Sequence, residues 1–399
     1  MERTQVIIVG AGPVGLSAAV CLAGFGIDCI VLEKREALST ASKASTFQPP
    51  TLEILSEFGV LGPMMQMGRV ADRIQYRTAA GAVLAQFDHD LLVSDTPFPH
   101  RLHLEQSALT QLLLDKLKRG PRGEVRFGCT FLNVAQQTND VMVRYVEASG
   151  AKREIAADYV LAADGAHSTV RDALGLALEG SAYPGQVLRL VVTDPLSDII
   201  PGLGQVSYIF SPDNSSISLL QMPDCWRVII RLPDGFDPEE VVLPEWYMPV
   251  VRQYIPQFPG ELTLREHDIY GARKMLASGH GTGRVFLMGD ALHLTNTRGG
   301  MNMNCGIHDA YELGGAIAKA ITLNAPELVE RAARRRRQVA QEQLLPRTDR
   351  NITGGANLLA QMRTMSADPV QAREMLVRAA MLDMAPPRRL VQTSRVQAQ

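Results

Sequence analysis

The sequence predicts an α/β fold, in which a parallel-sheet domain is interrupted by a mostly-β unit and followed by helices. Three observations carry this. Residues 5–33 run strand, glycine turn, helix, strand, the unit from which open parallel sheets are built. Two further apolar strands, at 159–162 and 285–288, each end in a turn containing Gly and Asp. Elsewhere, over 74–93 and 188–232, the pattern changes to short β-rich runs broken by Pro, Gly, Asp and Asn.

Bulk composition excludes several classes of function. With 399 residues, 46% hydrophobic and 21% charged, the chain can bury the cores of two or three structural units. A net charge of only −2 lacks the basic excess that gathers phosphates, so nucleic acid is not an expected partner. Cys21, Cys29, Cys129, Cys225 and Cys305 are scattered, odd in number and without a C-x-x-C pair, which argues against a disulfide framework or a zinc site and fits a reducing compartment. Met1-Glu2-Arg3-Thr4 leads straight into an apolar strand, and no apolar run reaches membrane-spanning length. A cytoplasmic chain with no transmembrane segment and no metal is expected.

Taken in order, Val6-Ile7-Ile8-Val9 is the first strand, followed by Gly10-Ala11-Gly12-Pro13-Val14-Gly15, a helix to about Phe25, and the strand Cys29–Leu32. Helices are expected over 50–58 and 106–117, the second with Leu109, Leu112, Leu113 and Leu117 spaced to form a core face. The two β-rich stretches read as one sheet, inserted twice. From Gly283 the α/β pattern returns with the strand at 285–288, Gly289-Asp290, and a long helix from near Met301. The glycine-rich run 279–283 precedes a strand instead of following one, so it reads as a loop. Beyond Pro326 the chain reads as helical, with a fraying end.

The first glycine motif has a geometrical chemistry. Gly10 permits a tight turn, Gly12 lets a pyrophosphate approach the backbone, and Gly15 lets helix and strand pack closely, while the helix N-terminus faces the anion. Glu33, at the end of the next strand, can accept both hydroxyls of an adenosine ribose, and Pro13, Val14 and Lys34 are neighbouring candidates. This set points to a dinucleotide without separating FAD from NAD.

A second motif, Ala163-Asp164-Gly165-Ala166-His167-Ser168-Thr169-Val170-Arg171, follows the strand at 159–162. A third, Gly289-Asp290-Ala291-Leu292-His293, continues into Arg298-Gly299-Gly300-Met301-Asn302-Met303-Asn304. With these three motifs in order, nearly the whole chain resembles the single-component FAD-dependent aromatic hydroxylases, the flavoprotein monooxygenase family that includes para-hydroxybenzoate hydroxylase. The resemblance implies a Rossmann-like FAD-binding domain (1–70, 101–180 and 271–345), an inserted mostly-β substrate-binding domain (71–100 and 181–270) and a helical C-terminal segment (346–399). It implies FAD, with Glu33 on the ribose, Lys43 and Gln106 near the cofactor, Asp164 linked to both FAD and the pyridine nucleotide, and Asp290 on a ribityl hydroxyl. Backbone N–H groups at Gly300, Met301 and Asn302 would stabilise negative charge on the reduced flavin. On the residues alone, Asp164 and Asp290 can also be read as helix caps, and Gln106 as a helix-start residue.

The family pattern implies that NADH or NADPH reduces FAD, that O2 adds to the flavin, and that the resulting hydroperoxide hydroxylates an electron-rich phenolic or heteroaromatic ring. The protein must orient the substrate and exclude water. Arg189, Tyr208, Gln221 and Arg231, polar positions on apolar strands, are substrate-binding candidates, the plainer reading of each being a solvent-facing strand residue. No catalytic residue is assigned, and His293 and His308 read more simply as structural. Arg334 to Arg337 reads as a solvated helix face. The methionines from Met362 to Met384 read as packing for the last helices, with a soft substrate lid as the alternative. Three positions depart from the family pattern: Lys43 replaces an arginine, Thr297 a proline and Asn302 a glycine. Thr297 and Asn302 favour, as the runner-up, a flavin oxygenase acting on a non-phenolic carbon or nitrogen; from a different class, a FAD-binding protein without turnover is the further alternative. Monomer and homodimer are both compatible with the sequence.

Overall fold

The computed structural model describes residues 2–41, 44–211, 215–353 and 358–387. Its first sheet sets Glu2–Val9 between Lys152–Ala162 and Cys29–Leu32, all parallel, with Val285–Leu287 outside the former and Gly123–Arg126 outside the latter. These strands read as unbroken apolar runs because both faces are covered. Alternate side chains serve different layers: Val6 and Ile8 meet the Pro13–Gly24, Gln106–Lys118 and Asn302–Leu323 helices, while Ile7 and Val9 join Ile30, Leu32, Val160 and Tyr145 on the opposite face. Gly281–Thr282, expected as loop, is a short hairpin strand against Val285 and Phe286.

The second sheet has the order His293–Leu294, Leu264–Ala277, Leu178–Val192, Trp226–Arg231, Ser216–Gln221, Val206–Phe210, Arg73–Thr78, Val83–Asp88. Arg73–Thr78 pairs in parallel with Val206–Phe210, which unites the two β-rich stretches in one sheet. One face packs Leu188, Leu190, Ile217 and Val228 beneath the Pro244–Tyr254 helix. The other turns towards the first sheet and the C-terminal helices.

After the Glu327–Val339 helix and a π turn at Ala340–Leu344, the chain folds back as Leu358–Ala367 and Pro369–Ala379. Ala372, Leu376 and Ala380 cover Ile74, Phe87 and Leu92, with Met362, Met365 and Met375 partly buried among them. Met381 and Met384 are fully buried against Met301 and Cys305. The methionines therefore pack helices onto both sheets. This is the α/β, Rossmann-like arrangement expected, with an inserted β-sheet and a helical C-terminal segment. The last twelve residues lie outside the described ones.

Candidate active site

The first glycine motif is built by exclusion. A Cβ on Gly15 would lie 1.9 Å from the Gly10 carbonyl oxygen, and one on Gly10, at φ +104°, would lie 2.4 Å from that of Ala163. Both positions hold strand and helix together. Gly12 differs: nothing stands within 4 Å of its Cβ position. It caps the Pro13–Gly24 helix without a side-chain partner, so the first-turn N–H groups face outward, as an anion requires. Glu33 is buried, with Oε2 accepting from the Ala11 N–H at 2.8 Å and Oε1 from that of Arg35 at 3.0 Å. The carboxylate is thereby fixed against the glycine turn. Lys34 is exposed, and Lys43 lies outside the described residues. Gln106 opens its helix, its N–H bound to the Ala44 carbonyl at 3.1 Å.

Asp164 accepts from Ser168 Oγ at 2.6 Å, Thr169 Oγ1 at 3.2 Å and the Val170 N–H at 3.1 Å, while Ser168 itself caps the Thr169–Ala173 helix, its Oγ accepting from the Arg171 N–H at 3.0 Å. Arg171, buried beneath it, donates to the carbonyls of Ala166 and Ala291 at 3.1 and 3.2 Å, tying the second motif to the third. In the third, Asp290 is exposed, with Oδ1 accepting from Asn302 Nδ2 at 2.8 Å. Gly299 and Gly300 both have positive φ, and a Cβ on Gly300 would meet Thr46 at 2.7 Å. Met301 is buried and caps the long helix that Asn302 begins. Asn304 staples this loop: its Nδ2 donates to Gly300 and Thr46 carbonyls at 2.6 and 2.8 Å, and its Oδ1 accepts from the Gln48 N–H at 2.9 Å. Gln48 donates through Nε2 to the Gly299 carbonyl at 2.8 Å, and its buried Oε1 has no partner.

On the second sheet, strand register lays Tyr76, Tyr208, Ser218, Ile229, Arg189 and Asp268 side by side in one row, so these side chains share a face. The Tyr76 and Tyr208 rings lie 5.2 Å apart, and the Arg298 guanidinium sits 4.9 Å over Tyr208. Arg101 is fully buried beside both tyrosines, with its Nε unpaired. His103 donates from Nδ1 to the Gln221 carbonyl at 2.7 Å, which leaves a bare lone pair on its unpartnered Nε2, and burial lowers its pKa to about 4. Of the expected substrate residues, Tyr208 meets this cluster. Arg189, buried rather than solvent-facing, is spent on Asp268 at 2.7 Å and Glu266 at 3.3 Å. Gln221 accepts from Arg69 at 3.1 Å, and Arg231 is exposed beside Gly185.

Sequence reading missed Tyr76, Arg101, Arg298, Gln48 and Asn304 as site candidates. Only long-range register brings Tyr76 to Tyr208, but Arg298 and Asn304 stand inside the third motif and could have been singled out. It also misplaced Arg336. Within the arginine run read as solvated, Arg336 is fully buried, donating to Asp309 Oδ1 at 2.7 Å and Cys305 Sγ at 3.2 Å. Burial would raise the Asp309 pKa, but Arg336 and His293 hold it below the ordinary value. Burial likewise works against a proton on His293, yet Cys305 and Asp309 raise it well above the usual imidazole range. His293, Cys305 and Asp309 offer ligand-type atoms within 4.8 Å of one another, and Arg336 already donates to two of them, Asp309 and Cys305.

Residues 3–345 match a family model described as FAD binding domain. The chain is 30% identical over 355 residues to para-nitrophenol 4-monooxygenase of Pseudomonas sp. (strain WBC-3), covering 87% of this chain and 86% of that protein. It is 30% identical over 330 residues to 6-hydroxy-3-succinoylpyridine 3-monooxygenase HspB of Pseudomonas putida, covering 80% of each. The crystal structure of p-nitrophenol 4-monooxygenase PnpA from Pseudomonas putida DLL-E4 superimposes with a TM-score of 0.87 at 27% identity, over 98% of this chain and all of that one.

Proposed function

Because the chain belongs to the FAD binding domain family, we propose that it is an FAD-dependent, NAD(P)H-consuming monooxygenase that places one oxygen atom of O2 on a phenolic or heteroaromatic ring. The carrying observation is Arg298. It directly precedes the Gly299–Gly300 turn and lies over the Tyr208 ring, so one short loop joins the flavin seat to the aromatic face of the second sheet.

The residues fit FAD. The open Gly12 position, the uncapped helix start and the fixed Glu33 carboxylate suit a pyrophosphate and a ribose. The unpartnered Gln48 Oε1 and the turn locked by Asn304 suit the edge of a ring system. Bound FAD supplies the electron transfer and oxygen activation that no side chain here could. The protein supplies a floor of Tyr76, Tyr208 and Phe210 for an aromatic ring. Arg298 and the buried Arg101 add positive charge that favours an ionised, electron-rich ring. Packing by Met301 and the C-terminal helices keeps water from this space.

In this reading residues 1–70, 101–180 and 271–345 bind the cofactor, and 71–100 and 181–270 carry the substrate face. Leu178–Val192 and Leu264–Ala277 cross those divisions as paired strands, with an irregularity between Ala182 and Gln186. Among the described residues no helix is long and apolar enough to cross a membrane, and we place the enzyme in the cytoplasm, as monomer or homodimer.

The test is NADH and NADPH oxidation in air with and without phenols and hydroxypyridines, followed by product mass under labelled O2. Ligand-stimulated oxidation with one labelled oxygen in the product is expected. Purified protein with no affinity for FAD would refute the reading.

A further inference from the structure

Asn302, which stands where the family pattern has glycine, spans two charged groups. Its Nδ2 donates to Asp290 Oδ1 at 2.8 Å, and its Oδ1 faces His293 Nδ1 at 3.0 Å. The chemistry of the partners fixes every proton in this chain. A carboxylate oxygen only accepts, so the amide nitrogen points to Asp290 and the amide oxygen to His293, whose Nδ1 must carry a hydrogen. On the other side of the ring, Nε2 lies 2.8 Å from Asp309 Oδ2. That carboxylate also takes the Arg336 Nε at 2.7 Å and the Gly289 N–H at 3.1 Å, the surroundings of an ionised group, so Nε2 must donate as well. A neutral imidazole could satisfy only one of the two contacts.

The charged and titratable groups around the ring agree with an imidazolium. Asp309 and Cys305 face it from the long helix, Arg336 stands behind Asp309, and Asp290 lies beyond Asn302. The outcome is a rigid series, Arg336–Asp309–His293–Asn302–Asp290, running from the fully buried core to an exposed carboxylate on a three-residue turn. Glycine at 302 would leave His293 Nδ1 without its acceptor and the Asp290 side chain without this tie.

We propose that His293 and Asn302 are positioning residues that hold the Asp290 carboxylate in the orientation it needs to grip the ribityl side of FAD. The proposal rests on the flavin seat read above. The relay makes FAD affinity depend on a side chain that need not touch the cofactor.

The experiment is FAD titration of the deflavinated protein, followed by flavin fluorescence, for wild type, Asn302→Gly, Asp290→Asn and the double variant. Asn302→Gly is expected to weaken FAD binding about tenfold in the wild-type background and to have no further effect once Asp290→Asn is present. Equal weakening in both backgrounds would overturn the relay, as would wild-type affinity in Asn302→Gly. Nitrogen-15 NMR of the histidines, with His293→Gln for assignment, reads the ring directly and without cofactor. Two protonated nitrogens at neutral pH are expected, and one bare nitrogen would overturn the proposal. Wild-type protein that takes up no FAD would instead refute the flavin reading, and with it the role given to Asp290.

Discussion

Acidification from neutral to about pH 5 is expected to weaken the fold steeply, because three histidines are buried in the neutral form. His89 donates from Nδ1 to the Asp72 carbonyl at 3.0 Å, and burial with Arg101 nearby pushes its pKa to about 3. His103 is lowered to about 4 by burial, opposed by its bond to Gln221 and assisted by Arg101 and Arg227. His308, beside Thr51 Oγ1 at 3.0 Å, is lowered to about 3 by burial and by Arg336. In the unfolded chain each takes a proton near pH 6.5, so between that value and the folded one the unfolded state binds more protons. Stability is therefore complete above about pH 6.5 and lost as pH falls towards the folded values. Each site contributes about 1.4 kcal/mol per pH unit, or roughly 2 kcal/mol at pH 5. Together they reach about 6 kcal/mol, comparable with the whole stability of many proteins. His293 is raised, so its contribution is complete below about pH 6.5 and lost only as pH rises through its folded value; it offers no compensation in acid. Asp309 is lowered, so its contribution persists until pH falls below about 3.8, outside this window. Urea midpoints measured at about pH 7.5, 6 and 5 should fall continuously, and His103→Asn, which keeps a donor near the Nδ1 position, should flatten the slope by roughly a third. A midpoint independent of pH over this range would refute the reasoning.

Other outcomes follow from single contacts. Arg336→Met should cost about 3–5 kcal/mol by stranding Asp309, and Arg334→Ala, at an exposed position, no more than about 0.5 kcal/mol; equal losses in urea unfolding would contradict the burial of Arg336. Gly12→Ala has room for its methyl and should keep the wild-type melting temperature while FAD affinity drops at least about tenfold. Gly15→Ala, meeting a carbonyl oxygen, should lower the melting temperature itself, and the same behaviour in both variants would count against a phosphate cradle at Gly12. Arg298→Ala should remove about 0.5–2 kcal/mol of ligand binding, measured by perturbation of the flavin spectrum, and should weaken anionic phenols more than neutral ones. Equal weakening of both would remove Arg298 from the substrate chamber.

Legibility in the sequence followed the range of the interactions. Val6 to Val9, Gly10 to Gly15 and Leu109 to Leu117 declare strand, turn and helix because periodicity and glycine chemistry act within a few residues. The insertion was legible as β-rich, but the parallel pairing of Ile74 with Val206 has no local signature, so the Tyr76–Tyr208 pair was not. Arg336 was misread for the same reason: one arginine in a run of four is turned inward by Asp309 on a neighbouring helix. Asn302 was visible as a departure from a pattern, whereas its reach to both Asp290 and His293 required the fold of the loop.

The interleaving of the two sheets also dictates how this protein can be born. Val6 pairs with Cys29 on one side and Tyr159 on the other, and Val160 with Val285, so the innermost strand gains one neighbour early and the second only long after it leaves the ribosome. At about 5–20 residues per second, Glu2–Val9 waits on the order of 10–30 s for Lys152–Ala162, and the Asn302–Leu323 helix that seals one face arrives later still. During that interval the Lys152–Ala162 side of the apolar run Val6–Val9 has no strand on it, an edge open to pairing with other chains. Truncations ending before Val285 leave Val160–Ala162 without their outer strand, and so should be recovered as aggregates or chaperone complexes. Yield of the whole chain should rise with added chaperone capacity and fall when translation is slowed.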